Sequence, residues 1–281
     1  MYQMMSLPLY SGTFQEYDSW RDLGQELERL GCDGIEGVWG GEDLPKDLPA
    51  ELILGYHLIF YPDWLDFYRD DRAALKQKFG SLEAVASFYG GLGPDTLLEQ
   101  YRADLRRAVN LGARYVVFHV SDVSLEEGYT YRWLPTNQEV IDAAVEVVNL
   151  ILGEERWPFE FLVENQWWPG FTFTEPEETA RLLEGIRFAG KGILLDTGHL
   201  MNACTELKTE AEGADYIRSM LNRHGSLAKW VRGVHLHQSL SGAYVKAHTG
   251  SLPAGLPEDY MERFGVSYQH ILQIDQHRPW T

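Results

Sequence analysis

The sequence has few cysteines, few basic residues and no long apolar run, and each shortage argues against a class of protein. Only Cys32 and Cys204 occur in 281 residues, so no disulfide framework is predicted and the reducing cytoplasm is the expected location. Lys and Arg number 24 against 42 Asp and Glu, a net charge of −18, which disfavours binding to nucleic acid. No apolar run approaches the roughly 18 residues of a membrane span, so no membrane partner is expected.

What the sequence does contain is a regular alternation of short apolar runs and longer segments of helical periodicity. The runs, each predicted to be a buried strand, are 6–12, 34–39, 51–60, 114–120, 159–165, 192–198, 231–237 and 270–275. Predicted helices between them include 95–112, 136–153, 175–188 and 214–225. The helix over 136–153 carries a capping signal, Thr136 followed three residues later by Glu139.

Eight strand–helix units in this length predict one α/β domain over residues 1–281, a single (β/α)8 TIM barrel. No linker or charge run divides the alternating segments. The alternative, a doubly wound open sheet, is disfavoured because no glycine-rich phosphate-binding turn follows an early strand.

Polar side chains stand at nearly every predicted strand end, where a TIM barrel has its active-site face. These residues are His57, His119, Glu164, Asp196, His199, His235, His237, His248, Asp275 and His277. A lone histidine there is usually part of the hydrogen-bonded structure, but so many imidazoles and carboxylates at one rim indicate a common site. Mixed imidazole and carboxylate donors suit Zn, Mn or Fe, so we expect a divalent metal, Zn or Mn, with one to three ions.

The stretch "GILLDTGHLMNA" (192–203) illustrates the pattern, because an apolar strand ends on Asp196 and His199 follows one turn later. A carboxylate at the end of a buried run must be paired, protonated or bound to a metal. We therefore expect Asp196 and His199 to share a metal site.

The segments "FLVEN", "ILLDTGH" and "VHLHQS" resemble the strand signatures of the xylose isomerase-like superfamily, also called apurinic endonuclease family 2. The resemblance covers most of the chain, from "DGIEGVWG" to the last predicted strand. In the sugar isomerases and epimerases it implies a single ion at Glu164, Asp196 and His235. In the endonuclease IV branch it implies a zinc cluster with further ligands at His57, His119, His199 and His248.

Two positions depart from the superfamily pattern. Lys246 stands where the endonuclease branch has Asp, two residues before the histidine of "AHTG". Gln273 or Asp275, depending on the alignment, stands where both branches have a Glu on the last strand. The second departure weakens a two-base isomerase mechanism, although Asp275 is a candidate ligand or base.

The loops after the strands are rich in aromatic residues, which stack on heterocycles or on the apolar faces of sugars. The candidate substrate-binding residues are Trp167, Trp168, Tyr131, Trp133, His237 and Gln273. The candidate catalytic residues are Glu164, Asp196 and Lys246, the lysine being expected to neutralise a phosphate.

These observations favour hydrolysis of a small phosphoester by two or three metal ions over DNA repair. The alternative is a single-metal sugar or sugar-phosphate isomerase or epimerase. A binding protein is disfavoured because Glu164 and Asp196 are both present. The substrate is expected to be a small molecule, a phosphoester or a sugar, and the oligomeric state is left open.

Overall fold

A curled, fully parallel sheet forms the centre of the protein in the computed structural model, which describes residues 1–44 and 48–281. Seven strands form within those residues, and their spatial order follows the chain. Their bounds are Met4–Leu9 (β1), Gly34–Trp39 (β2), Ile53–His57 (β3), Tyr115–His119 (β4), Glu160–Glu164 (β5), Lys191–Asp196 (β6) and Val231–His235 (β7). The parallel α/β architecture predicted from the alternation is therefore present.

Helices make the connections between the strands. They are Ser11–Phe14 (α1), Trp20–Leu30 (α2), Leu65–Tyr68 (α3), Arg72–Phe79 (α4), Leu82–Tyr89 (α5), Pro94–Asn110 (α6), Leu125–Thr130 (α7), Asn137–Leu152 (α8), Pro176–Gly185 (α9), Thr197–Asn202 (α10), Glu210–His224 (α11), Gly242–His248 (α12) and Tyr260–Leu272 (α13), with short 3-10 helices at Ala50–Leu52 and Gly225–Trp230. Thr136 caps α8 in a reciprocal pair with Glu139, as predicted. Of the helices described, none has the length and apolar character needed to cross a bilayer.

Successive side chains of each strand point to opposite faces of the sheet, and the two faces belong to two separate apolar layers. Residues such as Val116 and Phe161 belong to the large core that includes the helices, whereas Val117, Leu162 and Leu194 form a smaller cluster on the inner face with Tyr115. Glu164 comes two residues after Leu162, as Asp196 does after Leu194 and His119 after Val117. The functional side chains therefore continue the inner face to its carboxyl end.

The prediction of an eighth strand at 270–275 is wrong. Residues 270–272 are the end of α13, and a turn follows them. Tyr260, Phe264, Ser267 and Ile271 recur at helical spacing, and Asp259 accepts hydrogen bonds from the first main-chain N–H groups of α13, so the helical period prevails over the short apolar run. In the described residues β1 and β7 are the edges of the sheet, and a complete eight-stranded barrel is not formed.

Candidate metal centre

Five consecutive strands, β3 to β7, each end on a histidine or an acidic residue: His57, His119, Glu164, Asp196 and His235. The register of the sheet pairs His119 with Glu164 and Asp196 with His235. Because parallel strands bring their carboxyl ends to one edge, these side chains meet above the inner apolar layer.

Glu164 is the centre of this group, and its two carboxylate oxygens have different neighbours. Oε2 lies 3.2 Å from His57 Nε2 and 3.0 Å from His119 Nε2, and these two nitrogens are 3.0 Å apart. Donors about 2.1 Å from a common zinc ion stand about 3.0–3.4 Å from one another, so this triangle has the dimensions of a metal site.

A second set of donors faces the other oxygen of Glu164. Oε1 lies 3.1 Å from His235 Nδ1, which is 3.6 Å from Asp196 Oδ2. His199 Nδ1 is also near, 3.4 Å from Glu164 Oε1 and 3.6 Å from Asp196 Oδ2. Glu164 is therefore placed to bridge two groups of ligands.

Two contacts of His199 limit its role as a ligand through Nδ1. The carbonyl oxygen of Asn165 and the side-chain amide nitrogen of Gln166 each lie 3.0 Å from Nδ1, so this nitrogen already has hydrogen-bond partners within the protein. Nε2 points toward Asp275, 3.5 Å from Oδ2. The main-chain N–H of His199 donates to Asp196 Oδ1 at 2.7 Å, so Asp196 also caps α10. Asp196 and His199 thus stabilise each other within the cluster.

The electrostatics of the cluster favour carboxylates that are ionised. Burial opposes the charge on Glu164, but His119 and His235 outweigh burial and hold its pKa well below the ordinary value. Asp196 shows the same balance, with burial outweighed by His199, His235 and His237, which lower its pKa. The site is thus a buried set of ionised carboxylates among imidazoles, residue types that bind divalent cations.

Glu36 belongs to the site, although we did not predict it from the sequence. It is 4% exposed on β2, with Oε1 2.9 Å from His235 Nε2, and its Oε2 accepts a hydrogen bond of 2.6 Å from the Tyr115 hydroxyl. A carboxylate on the far nitrogen of a ligating histidine fixes the ring and its tautomer. The available signal was a glutamate inside the apolar run "GIEGVW".

Of the two residues left open for the last-strand position, Asp275 is the one that the structure brings near the cluster. Its carboxylate lies near His199 and His277, whereas Gln273 follows α13 as an exposed residue. His237, expected to bind substrate, lines the cavity, with its Nε2 2.8 Å from Asp196 Oδ2.

Two other expected residues are not brought to the cluster. Lys246 pairs with Glu206 at 2.8 Å, and its side chain is 49% exposed. His248 is exposed and stacks on Tyr244, with ring centroids 4.1 Å apart. The short helix α12 directs both side chains away from the strand ends.

The predicted aromatic residues divide into two groups. Trp167 and Trp168 are each 7% exposed and line the cavity, Trp167 with its ring 5.1 Å from that of His199. The rings of Tyr131 and Trp133 contact each other at a tilt of 45°, with centroids 4.9 Å apart, and Trp133 remains 38% exposed. The cavity has a volume of about 1840 Å³, enough for a small organic substrate beside the cluster.

Comparison with known proteins identifies one family. A family model described as "Xylose isomerase-like TIM barrel" matches residues 25–279. No curated protein matches the chain significantly. Similar solved structures include a D-tagatose 3-epimerase-like protein (16% identity, 96% of this chain and 87% of that one, TM-score 0.48) and endonuclease IV from Thermus thermophilus (16%, 99% and 90%, 0.42). Another is a protein described as AsfvAP:AG (13%, 99% and 90%, 0.50), and at this identity the likeness concerns the fold alone.

Proposed function

The chain belongs to the xylose isomerase-like TIM-barrel family, and from that premise we propose that it hydrolyses a small phosphoester at two divalent metal ions bridged by Glu164. The observation that carries the proposal is the division of donors between the two oxygens of Glu164. His57 and His119 face Oε2, while His235 faces Oε1 beside Asp196. A buried carboxylate with nitrogen donors on both sides is the arrangement that holds a pair of ions.

The chemistry of the donors fits zinc or manganese. Neutral imidazoles and carboxylates bind both metals, and the described site contains no thiolate that would favour softer ions. Bound at these donors, divalent ions supply positive charge that polarises a phosphoryl oxygen and lowers the pKa of water.

Residues around the donors hold them in position. Glu36, itself bonded to Tyr115, orients the ring of His235, and the Asn165 carbonyl orients that of His199. Such contacts typically contribute tenfold or more to metal affinity. The donors are therefore preorganised before an ion binds.

The wall of the cavity supports a small substrate rather than a polyanion. Among described residues lining it, the basic ones are Arg114 and Arg232, which lie near the beginnings of β4 and β7, away from the donors. Trp167 and Trp168 line the cavity beside the cluster. This combination suits a compact molecule with one phosphoester group and an apolar or cyclic part.

A second candidate is a single-metal sugar isomerase or epimerase. The donors on the Oε1 side of Glu164 favour it, because Glu164 Oε1, Asp196 Oδ2 and His235 Nδ1 provide three donors for one ion. Asp275 would then be the second carboxylate. The two candidates differ in the need for His57 and His119.

The test is metal content by elemental analysis, on protein purified without chelator or added metal, combined with hydrolysis of bis(p-nitrophenyl) phosphate. We expect at least two ions per chain, one of which is lost in His57→Ala together with the hydrolysis. His270→Ala, which removes an imidazole outside the cluster, is the matched control and retains both ions. A single ion that is lost in Asp196→Ala but retained in His57→Ala would contradict the proposal, and ketose and aldose panels would then be assayed.

A further inference from the structure

We propose that the substrate is a phosphodiester with an aromatic ester group, which binds to an apolar wall of the cavity made by Phe60, Phe264, Tyr268 and Leu272. We call these four residues the Phe60 wall. The inference rests on the proposed hydrolysis and deepens it by naming the substrate class. Hydrolysis of a diester consumes one water and breaks one P–O ester bond. The hydroxyl of that water joins phosphorus, its proton goes to the released alcohol, and a phosphomonoester remains.

Phe60 lies directly against two of the metal-site histidines. It follows β3 by three residues, and its ring centroid is 4.4 Å from that of His119 and 5.8 Å from that of His57. The side chain lines the cavity and is 46% exposed. A large aromatic side chain left partly uncovered beside the donors offers a face on which a planar group can stack. A ring held there stands next to a phosphoryl group at the cluster.

Helix α13 extends this apolar surface. Phe264, Tyr268 and Leu272 recur at every fourth residue, so they share one side of the helix, and all three line the cavity. Tyr268 is 47% and Leu272 38% exposed. One side of α13 therefore presents apolar groups to the cavity that the protein itself does not fully cover.

Two further aromatic residues join Phe60 to α13. Tyr61 follows Phe60 in the chain, and its ring is 5.8 Å from that of Phe88. Phe88 in turn contacts Phe264, with ring centroids 5.3 Å apart. Tyr61 and Phe88 both line the cavity. The Phe60 wall is therefore one continuous surface.

The Phe60 wall and the tryptophans adjoin different donors of the cluster. Phe60 contacts His119, whereas the ring of Trp167 is 5.1 Å from that of His199. The rings of His119 and His199 are themselves 6.2 Å apart. A diester has two organic groups on phosphorus and a monoester has one. Two apolar walls beside one cluster therefore fit a diester, with one group at each wall.

The charges around the cluster also favour a diester. A phosphomonoester carries about 1.5 to 2 negative charges at neutral pH, whereas a diester carries one. The four positive charges of two divalent ions are matched by the carboxylates of Glu36, Glu164, Asp196 and Asp275. Among the lining residues that the structure describes, Arg114 and Arg232 are the arginines or lysines, and they lie near the beginnings of β4 and β7. Little positive charge is thus left to pair with a dianion.

The experiment is calorimetric titration of the manganese-loaded full chain with diphenyl phosphate, dimethyl phosphate and phenyl phosphate. We expect diphenyl phosphate to bind about tenfold more tightly than either of the others, since it buries one more aromatic ring than phenyl phosphate and two more than dimethyl phosphate. Phe60→Ala and Tyr268→Ala are each expected to weaken diphenyl phosphate binding about fivefold and to leave dimethyl phosphate binding unchanged. Val266→Ala is the matched control, because Val266 is 49% exposed on the same helix and is not among the described lining residues.

Affinity and hydrolysis separate this inference from the proposed function. Tighter binding of phenyl phosphate than of diphenyl phosphate, or wild-type affinity for diphenyl phosphate in both Phe60→Ala and Tyr268→Ala, would overturn the Phe60 wall. Hydrolysis of p-nitrophenyl phosphate without hydrolysis of bis(p-nitrophenyl) phosphate would overturn the diester and keep phosphoester hydrolysis. Hydrolysis of neither ester, with diphenyl phosphate binding weakened in Phe60→Ala alone or in both variants, would contradict the proposed function and support the Phe60 wall as an aromatic binding surface.

Discussion

Asp104 on α6 anchors the segment that follows His57, and its replacement by Asn tests this attachment. The carboxylate is fully buried and accepts three hydrogen bonds. The Tyr56 hydroxyl donates to Oδ1 at 2.6 Å and the main-chain N–H of Ile59 to Oδ2 at 2.7 Å, while Arg107 also donates to Oδ1. Because Ile59 follows His57 by two residues, these bonds fix the carboxyl end of β3.

The expected loss follows from the contacts that an amide cannot make. Asn has a single acceptor oxygen, so its NH2 group would face the buried N–H of Ile59, at a cost of about 1–3 kcal/mol. The lost charge pairing with Arg107 adds about 1 kcal/mol, since the arginine side chain is 24% exposed and water replaces part of the interaction. We therefore expect Asp104→Asn to lower the free energy of unfolding by roughly 2–4 kcal/mol.

Urea denaturation measures this loss, and Tyr56→Phe is the matched control. Removing the hydroxyl leaves Asp104 with its two other donors, so we expect a loss of only about 1 kcal/mol. If Asp104→Asn unfolds at the wild-type urea concentration, or costs less than Tyr56→Phe, the reasoning about this anchor is refuted.

Four further predictions concern pH, backbone packing and metal binding. Burial raises the pKa of Asp63 to about 6 and that of Asp122 to about 8. The folded chain therefore holds protons that the unfolded chain has released, and its stability falls as the pH rises from about 4 to 8. Asp122→Asn should flatten this fall when urea midpoints are measured across that range. Gly170→Ala should destabilise by roughly 2 kcal/mol or more in thermal melts, because a Cβ would lie 2.3 Å from the Val120 carbonyl oxygen at a φ of +131°; a wild-type melting temperature would refute this. Removing metal with a chelator should lower the free energy of unfolding by about 4 kcal/mol, relative to the protein with metal present at about 1,000 times its Kd. His248→Ala should have the same metal content as the wild type in elemental analysis.

The strand ends could be predicted because apolar runs mark buried parallel strands, and the residue that ends each run reaches the same edge of the sheet. His57, His119, Glu164, Asp196 and His235 all lie where this reasoning places them. The nature of the donors then followed from residue type alone. What the pattern did not contain was how the donors divide between the two oxygens of Glu164.

Glu36 escaped prediction because its role depends on register and on an interior glycine. In sequence it is one acidic residue in an apolar run, and no spacing links it to His235. Tyr115, which bonds to Glu36, has room for its ring because Gly55 on β3 has no side chain, and a Cβ there would lie 2.2 Å from the tyrosine. Such a contact between three strands exists only once the sheet is assembled.

The eighth strand does not form, and Lys246 and His248 do not reach the cluster, for different local reasons. The apolar run at 270–275 has the length of a strand, but the helix that begins at Tyr260 includes residues 270–272, and a turn follows it. The resemblance implied His248 as a ligand, and Lys246 was expected to neutralise a phosphate. Both expectations assume a segment that points inward, whereas here α12 presents both residues on its exposed side.

The central claim, that Glu164 bridges two ions, is tested most directly by electron paramagnetic resonance of the protein loaded with Mn2+. Two ions that share a carboxylate are magnetically coupled, so the account predicts the spectrum of a coupled pair in the wild type and that of an isolated ion in His57→Ala. An isolated-ion spectrum in the wild type at every manganese concentration that the protein binds would contradict the bridged centre.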